Sequence, residues 1–416
     1  MEAPRVAIEG VTPVIDGGRF ALKRALGEPI HVEADIFMDG HDKMAAALLW
    51  RAVDTDVWQR VPMTFIVNDR WQADFTPERV GRHVFVVEAW YDTYATYYNE
   101  LSKKHAAGID VSLELREGRQ LLAAMLAEAE AERTADPEVL IQARQLVDTI
   151  THDADTEALQ HLLAASTGEL VGKLGIRHFA SRGEFEVPVN VERPAAAFAS
   201  WYELFPRSQS GDVTRHGTFD DVIERLPAIR DMGFDVLYFP PIHPIGKKNR
   251  KGRNNSLVAT DNDPGSPYAI GSDAGGHDAI HPELGSLDDF RKLVSAAKDH
   301  GLELALDFAI QCSPDHPWLR EHPEWFAYRA DGSIRYAENP PKKYEDIVNV
   351  DFYAPGPRGA RESASTGLWM ALRDAVLFWC KEGVRTFRVD NPHTKPLPFW
   401  EWMIAEVQGR YPDALF

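Results

Sequence analysis

The stretch TFDDVIERLPAIRDMGFDVLYFPP, residues 218–241, decides the fold. Its first part spaces apolar residues as one face of a helix does, with Thr218 placed to cap the free N–H groups and Gly233 to stop the chain. Its second part, FDVLYFPP, is a short run of strand formers. The same alternation continues downstream: the helix SLDDFRKLVSAAKDHG with Ser286 as its cap, the strand LELALDF, the helix TGLWMALRDAVLFWCKEG, the strand VRTFRVD, the helix LPFWEWMIAEVQG, and the beginning of a strand, DALF. Just upstream, FASWYELFP reads as a buried strand.

Strand and helix in alternation predict a parallel sheet. Long excursions follow strand ends only, at about 240–285 and about 308–364. This asymmetry suits a (β/α)8 TIM barrel, whose functional loops gather at one face; a doubly wound sheet is the alternative. Four βα units and the start of a fifth strand are present. The expectation for 196–416 is therefore the first half of a catalytic barrel, with a small insert domain at 312–364, and with the remaining barrel and C-terminal domain absent.

Ahead of this region, residues 1–97 consist of short alternating runs such as HVEADIFMDG and ERVGRHVFVVEAW, separated by turn residues. They predict an N-terminal β-sandwich, joined by 183–195, where GEFEVPVNVERP returns to strand character. An outlying sheet of a larger domain is the alternative. Residues 98–182 are rich in Ala, Leu, Glu, Gln and Arg at helical spacing and predict an inserted helical bundle, a packing or dimerisation element.

The 416 residues carry 64 Asp and Glu against 45 Lys and Arg, a net charge of −19. Such a balance argues against nucleic acid or an anionic membrane as the main partner. Cys312 and Cys380 are the only two cysteines, which fits neither a disulfide framework nor a thiolate metal site and suits a reducing cytoplasm. The start MEAPRVAIEG lacks signal-peptide character, and no apolar run is long enough to span a bilayer. His243, His277 and His281 share one long loop without metal-ligand spacing, so neither metal nor cofactor is expected.

Two strands end on aspartates, Asp307 and Asp390, and Arg388 lies on the same strand face as Asp390. A guanidinium beside a carboxylate keeps it ionised and oriented, which is what a nucleophile at an anomeric carbon requires. A structural ion pair is the plain alternative. The loop GKKNRKGRNN holds five Lys or Arg in an acidic chain. It reads either as a phosphate site or as a solvated charge run.

The ordered set GTFDDVIERLPAIRDMGFDVLYFPPIHPIG, SPYAIGSDAGGHDAIHPELGSLDDF and GVRTFRVDNPHTKP resembles the catalytic barrel of the α-amylase superfamily (glycoside hydrolase family 13) over about 198–416. The resemblance implies that Asp390 is the nucleophile and Arg388 its partner, with Asp307 at the floor of the sugar site. It also implies that Tyr268 stacks on the sugar next to the scissile bond; a packed loop aromatic is the alternative.

Gln311 and Cys312 stand where an Asn-His pair is usual, and NPHTKP follows the nucleophile. With PPIHPIGKKNRKGRNN and AENPPKKYEDI, these departures resemble the α-1,4-glucan:maltose-1-phosphate maltosyltransferases. That family implies a retaining enzyme of α-glucan biosynthesis that takes maltose 1-phosphate as donor and α-1,4-glucan as acceptor, releases inorganic phosphate, and works as a homodimer. It places Lys251, Asn339, Tyr344 and Asn391 beside the phosphate and Gln311 in the substrate site, while His393 has no assigned role. Its acid glutamate belongs at the end of the strand that begins DALF, so this chain is expected to lack the general acid and to be inactive alone. An α-amylase-like hydrolase, a glucan-branching enzyme and a non-catalytic glucan-binding protein are the competing functions. Trp318, Trp325, Phe326 and Tyr328 are expected in the insert, some lining acceptor subsites, with a hairpin turning at ADGS.

Overall fold

Alternation along the N-terminal strands decides their packing. In Ile30–Met38 every second residue from Ile30 to Ile36 is buried, so one face of the strand is apolar. The computed structural model describes residues 4–353 and 363–416 and divides into two units, Met1–Val191 and Glu192–Phe416.

The first unit contains β1 (Val6–Thr12), β2 (Leu22–Ala25), β3 (Ile30–Met38), β4 (Met44–Ala52), β5 (Gln59–Pro62), β6 (Thr64–Val67), β7 (Arg70–Phe75) and β8 (Gly81–Tyr91). Its helices are α1 (Thr93–Ala106), α2 (Ser112–Glu132), α3 (Pro137–His152), α4 (Asp155–Leu162) and α5 (Ala165–Lys173), followed by β9 (His178–Arg182) and β10 (Val187–Glu192). One sheet runs β1-β3-β7-β6; the other runs β2-β10-β8-β4-β5, with β9 also on β8. Val32 and Ile36 from the first sheet meet Leu48, Phe85 and Val189 from the second in one core, a sandwich.

The helices keep a core of their own around Leu101, Leu122, Ile150 and Leu162. They start at Thr93 and end at Lys173, so the expected bundle limits of 98 and 182 are displaced. TYATYY carries strand formers, but Asp92 caps the helix by accepting from the Ala95 N–H at 2.8 Å, and Tyr94, Tyr97 and Leu101 bury one helical face. At the other end HFASR is a half-exposed edge strand with no alternating pattern to announce it.

The second unit contains β11 (Trp201–Glu203), α6 (Phe219–Asp231), β12 (Val236–Phe239), α7 (Leu287–Asp299), β13 (Glu303–Phe308), α8 (Pro317–Glu321), β14 (Tyr336–Asn339), β15 (Lys342–Val348), α9 (Ser363–Lys381), β16 (Thr386–Val389) and α10 (Leu397–Arg410). Strands β11, β12, β13 and β16 form a parallel sheet in chain order. Leu415 pairs in parallel with Thr386 where DALF was expected to begin the next strand. Phe219, Leu226, Phe290 and Trp379 from the helices pack with Phe239, Leu306 and Phe387 from the strands. β11 departs from the expected buried strand: Trp201 is 40% exposed, because β11 pairs with β12 alone.

Thr218 and Ser286 act as the sequence suggests, each closing a capping box with Asp221 or Asp289. Thr218→Ala should lower stability by about 1 kcal/mol, read as a lower urea midpoint with an unchanged slope. An unchanged midpoint would remove the cap from the account.

Within 312–353, a tight turn forms at ADGS, with Tyr328 bridging Ile334 and the Gly332 N–H donating to the Arg329 carbonyl at 2.9 Å. The longer ribbon is the next one, β14 with β15, which the sequence reading did not place. Residues 354–362, part of the expected insert, lie outside the described residues. Among the described residues no helix is long and apolar enough to cross a membrane.

Candidate active site

Parallel pairing of β13 with β16 puts Asp307 level with Arg388 and Phe308 level with Val389. Asp307 and Asp390 therefore emerge side by side at the carboxyl ends of adjacent strands, 3% and 8% exposed. Arg388 Nη1 donates to Asp390 Oδ1 at 2.7 Å and to Asp307 Oδ2 at 3.0 Å. The second Asp390 oxygen accepts from Gln311 Nε2 at 3.2 Å and Asn391 Nδ2 at 3.1 Å. Every one of these partners is a donor, as an acceptor-only carboxylate needs. Asn391 follows with φ 45°, a left-handed conformation asparagine tolerates, and so turns the chain directly behind Asp390.

Asp307 is held differently. Its Oδ2 accepts from Tyr238 at 2.5 Å, Tyr268 at 3.0 Å and Arg388, while its Oδ1 is buried without a partner. Burial pushes the Asp307 carboxyl above its ordinary pKa, opposed by Tyr238, Arg388 and Tyr268. Burial also works against the Arg388 charge, but Asp307 and its neighbours outweigh it and the guanidinium pKa is raised. The Tyr268 hydroxyl is pushed up to about 12, by burial first and then by the Asp307 charge. Tyr238 is a site residue the sequence reading missed: all four residues of β12 are buried, so no alternation marks which one faces the carboxylates.

Above the two aspartates opens a cleft of about 1040 Å³ lined by Lys251, Tyr268, Gln311, Tyr344, Asp390 and Asn391. Six expected site residues thus share one cavity. Asn339 ends β14, but its side chain lies outside the described residues. Of the loop's five cations only Lys251 lines this cleft. Lys247, Arg250 and Arg253 line a separate cleft of about 1240 Å³ that shares no residue with it and contains neither aspartate. Size ranks that cavity above the first, but only the smaller one is lined by Asp390. Lys395, also on its wall, was missed; burial lowers its pKa against the pull of Asp390 and Asp307. His393 lines the cleft as well, while Trp318, Trp325, Phe326 and Tyr328 do not. Trp325 and Phe326 are core residues instead.

Behind the site the fold gathers His277, Cys312 and His316, whose donor atoms lie within 4.8 Å of one another. Two separate segments supply them, the loop after β12 and the stretch after β13, a meeting that spacing within one loop could not reveal. His316 Nδ1 accepts from the Trp318 N–H at 3.1 Å, and His277 Nε2 meets the Ala309 carbonyl at 3.0 Å. Two neutral rings then have one consistent arrangement: His316 Nε2–H donates to His277 Nδ1 at 3.2 Å, and His277 Nε2–H donates to Ala309. Burial holds His277 far below its ordinary pKa and His316 at about 3. A metal on His316 Nε2 would require an imidazolate, so the donor set suits a hydrogen-bonded relay. Gly271, at φ 107°, permits the packing: a Cβ there would sit 2.3 Å from the His316 ring. A second group, His216, His281 and Glu283, lies in the larger cleft.

Residues 4–193 match the family described as α-1,4-glucan:maltose-1-phosphate maltosyltransferase, domain N/S, and residues 203–357 match the α-amylase catalytic domain. Three curated relatives carry the name α-1,4-glucan:maltose-1-phosphate maltosyltransferase. That of Burkholderia pseudomallei is 58% identical over 99% of this chain and 35% of its own length. That of Pseudomonas aeruginosa is 57% identical over 100% and 61%, and one of Cereibacter sphaeroides is 57% identical over 99% and 67%. The chain thus spans from about a third to two thirds of the relatives it matches. With that identity sustained across both units, the chain belongs to the α-1,4-glucan:maltose-1-phosphate maltosyltransferase family.

Proposed function

We propose that the second unit is the first half of a (β/α)8 barrel. In the whole protein its cleft transfers a maltosyl unit from α-maltose 1-phosphate to the non-reducing end of an α-1,4-glucan, with retention and release of inorganic phosphate. The observation that carries this reading is Asp390, set at the floor of a polar cleft with donors on both carboxylate oxygens. The names of the relatives support the same donor and acceptor.

In the first step an Asp390 oxygen attacks the anomeric carbon. The bond from that carbon to the phosphate oxygen breaks, and its electron pair leaves with the phosphate. In the second step the acceptor 4-hydroxyl attacks from the opposite face and the ester bond to Asp390 breaks. The hydroxyl proton passes to a general base, which the family resemblance identifies as a glutamate following the next strand. Two inversions restore the α-configuration. Phosphate is a good leaving group, so the first step asks less of an acid than sugar departure would.

Arg388 aims the nucleophile, Gln311 and Asn391 hold its second oxygen, and Tyr268 offers its ring to the sugar while its hydroxyl is tied to Asp307. Lys251, Asn391, Tyr344 and Asn339 take the phosphate. Lys251 brings the positive charge, so Lys251→Ala should raise KM for the donor about tenfold or more with a smaller change in kcat. Equal KM values in steady-state assays would remove Lys251 from the phosphate site.

The reading also includes a homodimer in a reducing cytoplasm. Exposed Ile109 in the loop between α1 and α2, Leu113 on α2 and Ile141 on α3 support a pairing surface, and two unpaired, buried thiols suit that compartment. The functional test is phosphate release by the full-length protein given α-maltose 1-phosphate and a short α-1,4-glucan. The expected result is one phosphate per two-glucose extension. Release of sugar from the glucan without phosphate would favour the hydrolase instead.

A further inference from the structure

Residues two apart on a strand share a face. On β15, Tyr344 and Asp346 both line the cleft with Lys251, while Glu345 between them pairs with Lys343 at 2.7 Å. Asp346 is 3% exposed and Lys251 8%. Asp346 Oδ1 is buried without any hydrogen bond. No ion pair joins Asp346 to Lys251 among the described residues, yet Lys251 is the charge that acts on the Asp346 carboxyl. A buried polar oxygen left alone is costly, so a hydrogen-bond donor brought by a ligand would be stabilised there.

The identity of that ligand limits how Asp346 can meet it. Phosphate-ester oxygens are anionic acceptors, and so is a carboxylate. Two such groups side by side repel unless a proton lies between them. The other charged or titratable groups lining the cleft are Arg335 and Glu338 at and just before β14, Asp351 after β15, and Asp390, His393 and Lys395 from the end of β16 and the turn behind it. Burial raises the Asp346 pKa above its ordinary value, opposed by its own backbone N–H and by Lys251. The carboxyl is thus disposed to hold a proton.

We propose that Asp346 grips the donor's phosphate through a shared proton, so that phosphate binding at Lys251 takes up a proton at Asp346. This rests on reading the cleft as a phosphate-ester site. The shared proton satisfies the orphan oxygen and leaves the phosphate's own charge to face Lys251. Asp346 then selects for a phosphate over a ligand with no acceptor oxygen at that point, and donor binding weakens as pH rises.

The test uses the full-length protein, methyl phosphate as probe, a monoester that is a dianion with no proton of its own at pH 8, and titration calorimetry in two buffers of different ionisation heat, which counts protons taken up on binding. Asp346→Asn supplies a fixed N–H donor; it should bind the probe within about threefold of wild type while taking up fewer protons, and its affinity should fall less steeply with pH. Asp346→Ala should bind about tenfold more weakly. The protonation of the free probe is the same in all three titrations, so a difference in uptake belongs to the bound complex. Equal proton uptake by wild type and Asp346→Asn, or undiminished affinity in Asp346→Ala, would overturn the proposal alone. Absence of methyl phosphate binding by wild type would overturn the reading of the cleft and this proposal with it.

Discussion

Asp390→Asn should abolish maltosyl transfer by the full-length protein, lowering kcat by about 10⁴-fold or more. The side chain keeps its shape, so the cleft stays formed and the proposed phosphate site at Lys251 is untouched. What changes is chemical. The amide cannot form the glycosyl ester, and its NH2 would face either the Arg388 donor or those of Gln311 and Asn391, each of which now meets a carboxylate oxygen. KM for the donor should therefore move much less than kcat. Asp390→Ala should lose as much activity, showing that the loss follows the missing carboxylate and not the misplaced amide. Phosphate release is the measurement, and either variant retaining more than about one per cent of the wild-type rate would remove Asp390 from the nucleophile's role.

Arg388→Lys should lower kcat/KM by about 10²- to 10³-fold, the scale of losing one preorganised group at a reacting centre. A single guanidinium nitrogen serves both Asp390 at 2.7 Å and Asp307 at 3.0 Å. A shorter ammonium keeps the charge without that fixed geometry. A rate within a few-fold of wild type would reduce the pair to the plain structural contact. Arg388→Ala adds a stability effect with a definite sign in pH. Asp307, already pushed upward by burial, loses its counter-charge and moves further up. A raised carboxyl pKa favours the fold at low pH, and that advantage is lost as pH rises through the folded-state value. The melting-temperature deficit of the variant should accordingly shrink on going from pH 8 to pH 5. The Arg388 side chain is 40% exposed, so solvent screening keeps the deficit below the full penalty of about 3–5 kcal/mol for a buried broken pair.

The fold of the second unit could be read where local signals agree. Thr218 and Ser286 cap helices whose apolar residues repeat at helical spacing, and the intervening strands are short apolar runs. Asp307 and Asp390 could be found because each ends such a run, and the spacing of Arg388 placed it on the same strand face as Asp390. Legibility ended where position depends on three-dimensional register. Asp346 reaches the cleft only because β15 folds back on β14, and nothing in KKYEDIV marks which alternate residues point inward. His277, Cys312 and His316 are brought together by loops from different strands. Composition alone does not separate the five cations of GKKNRKGRNN, and only the family resemblance singles out Lys251; the backbone sends Lys251 to one cleft and Lys247, Arg250 and Arg253 to another. The start of α1 was misjudged because aromatic and β-branched residues compete with the Asp92 cap, and burial decides the matter.

The central claim is that Asp390 becomes covalently bonded to the sugar. A maltosyl fluoride carrying fluorine on the ring carbon next to the anomeric centre forms the glycosyl ester but hydrolyses it slowly, because the electron-withdrawing substituent destabilises the cationic transition state of the second step. Full-length protein treated with this reagent, digested and examined by mass spectrometry should carry one fluorinated maltosyl group on the peptide containing Asp390. The Asp390→Ala variant should carry none. A label on another residue, or transfer activity with no label formed, would contradict the account.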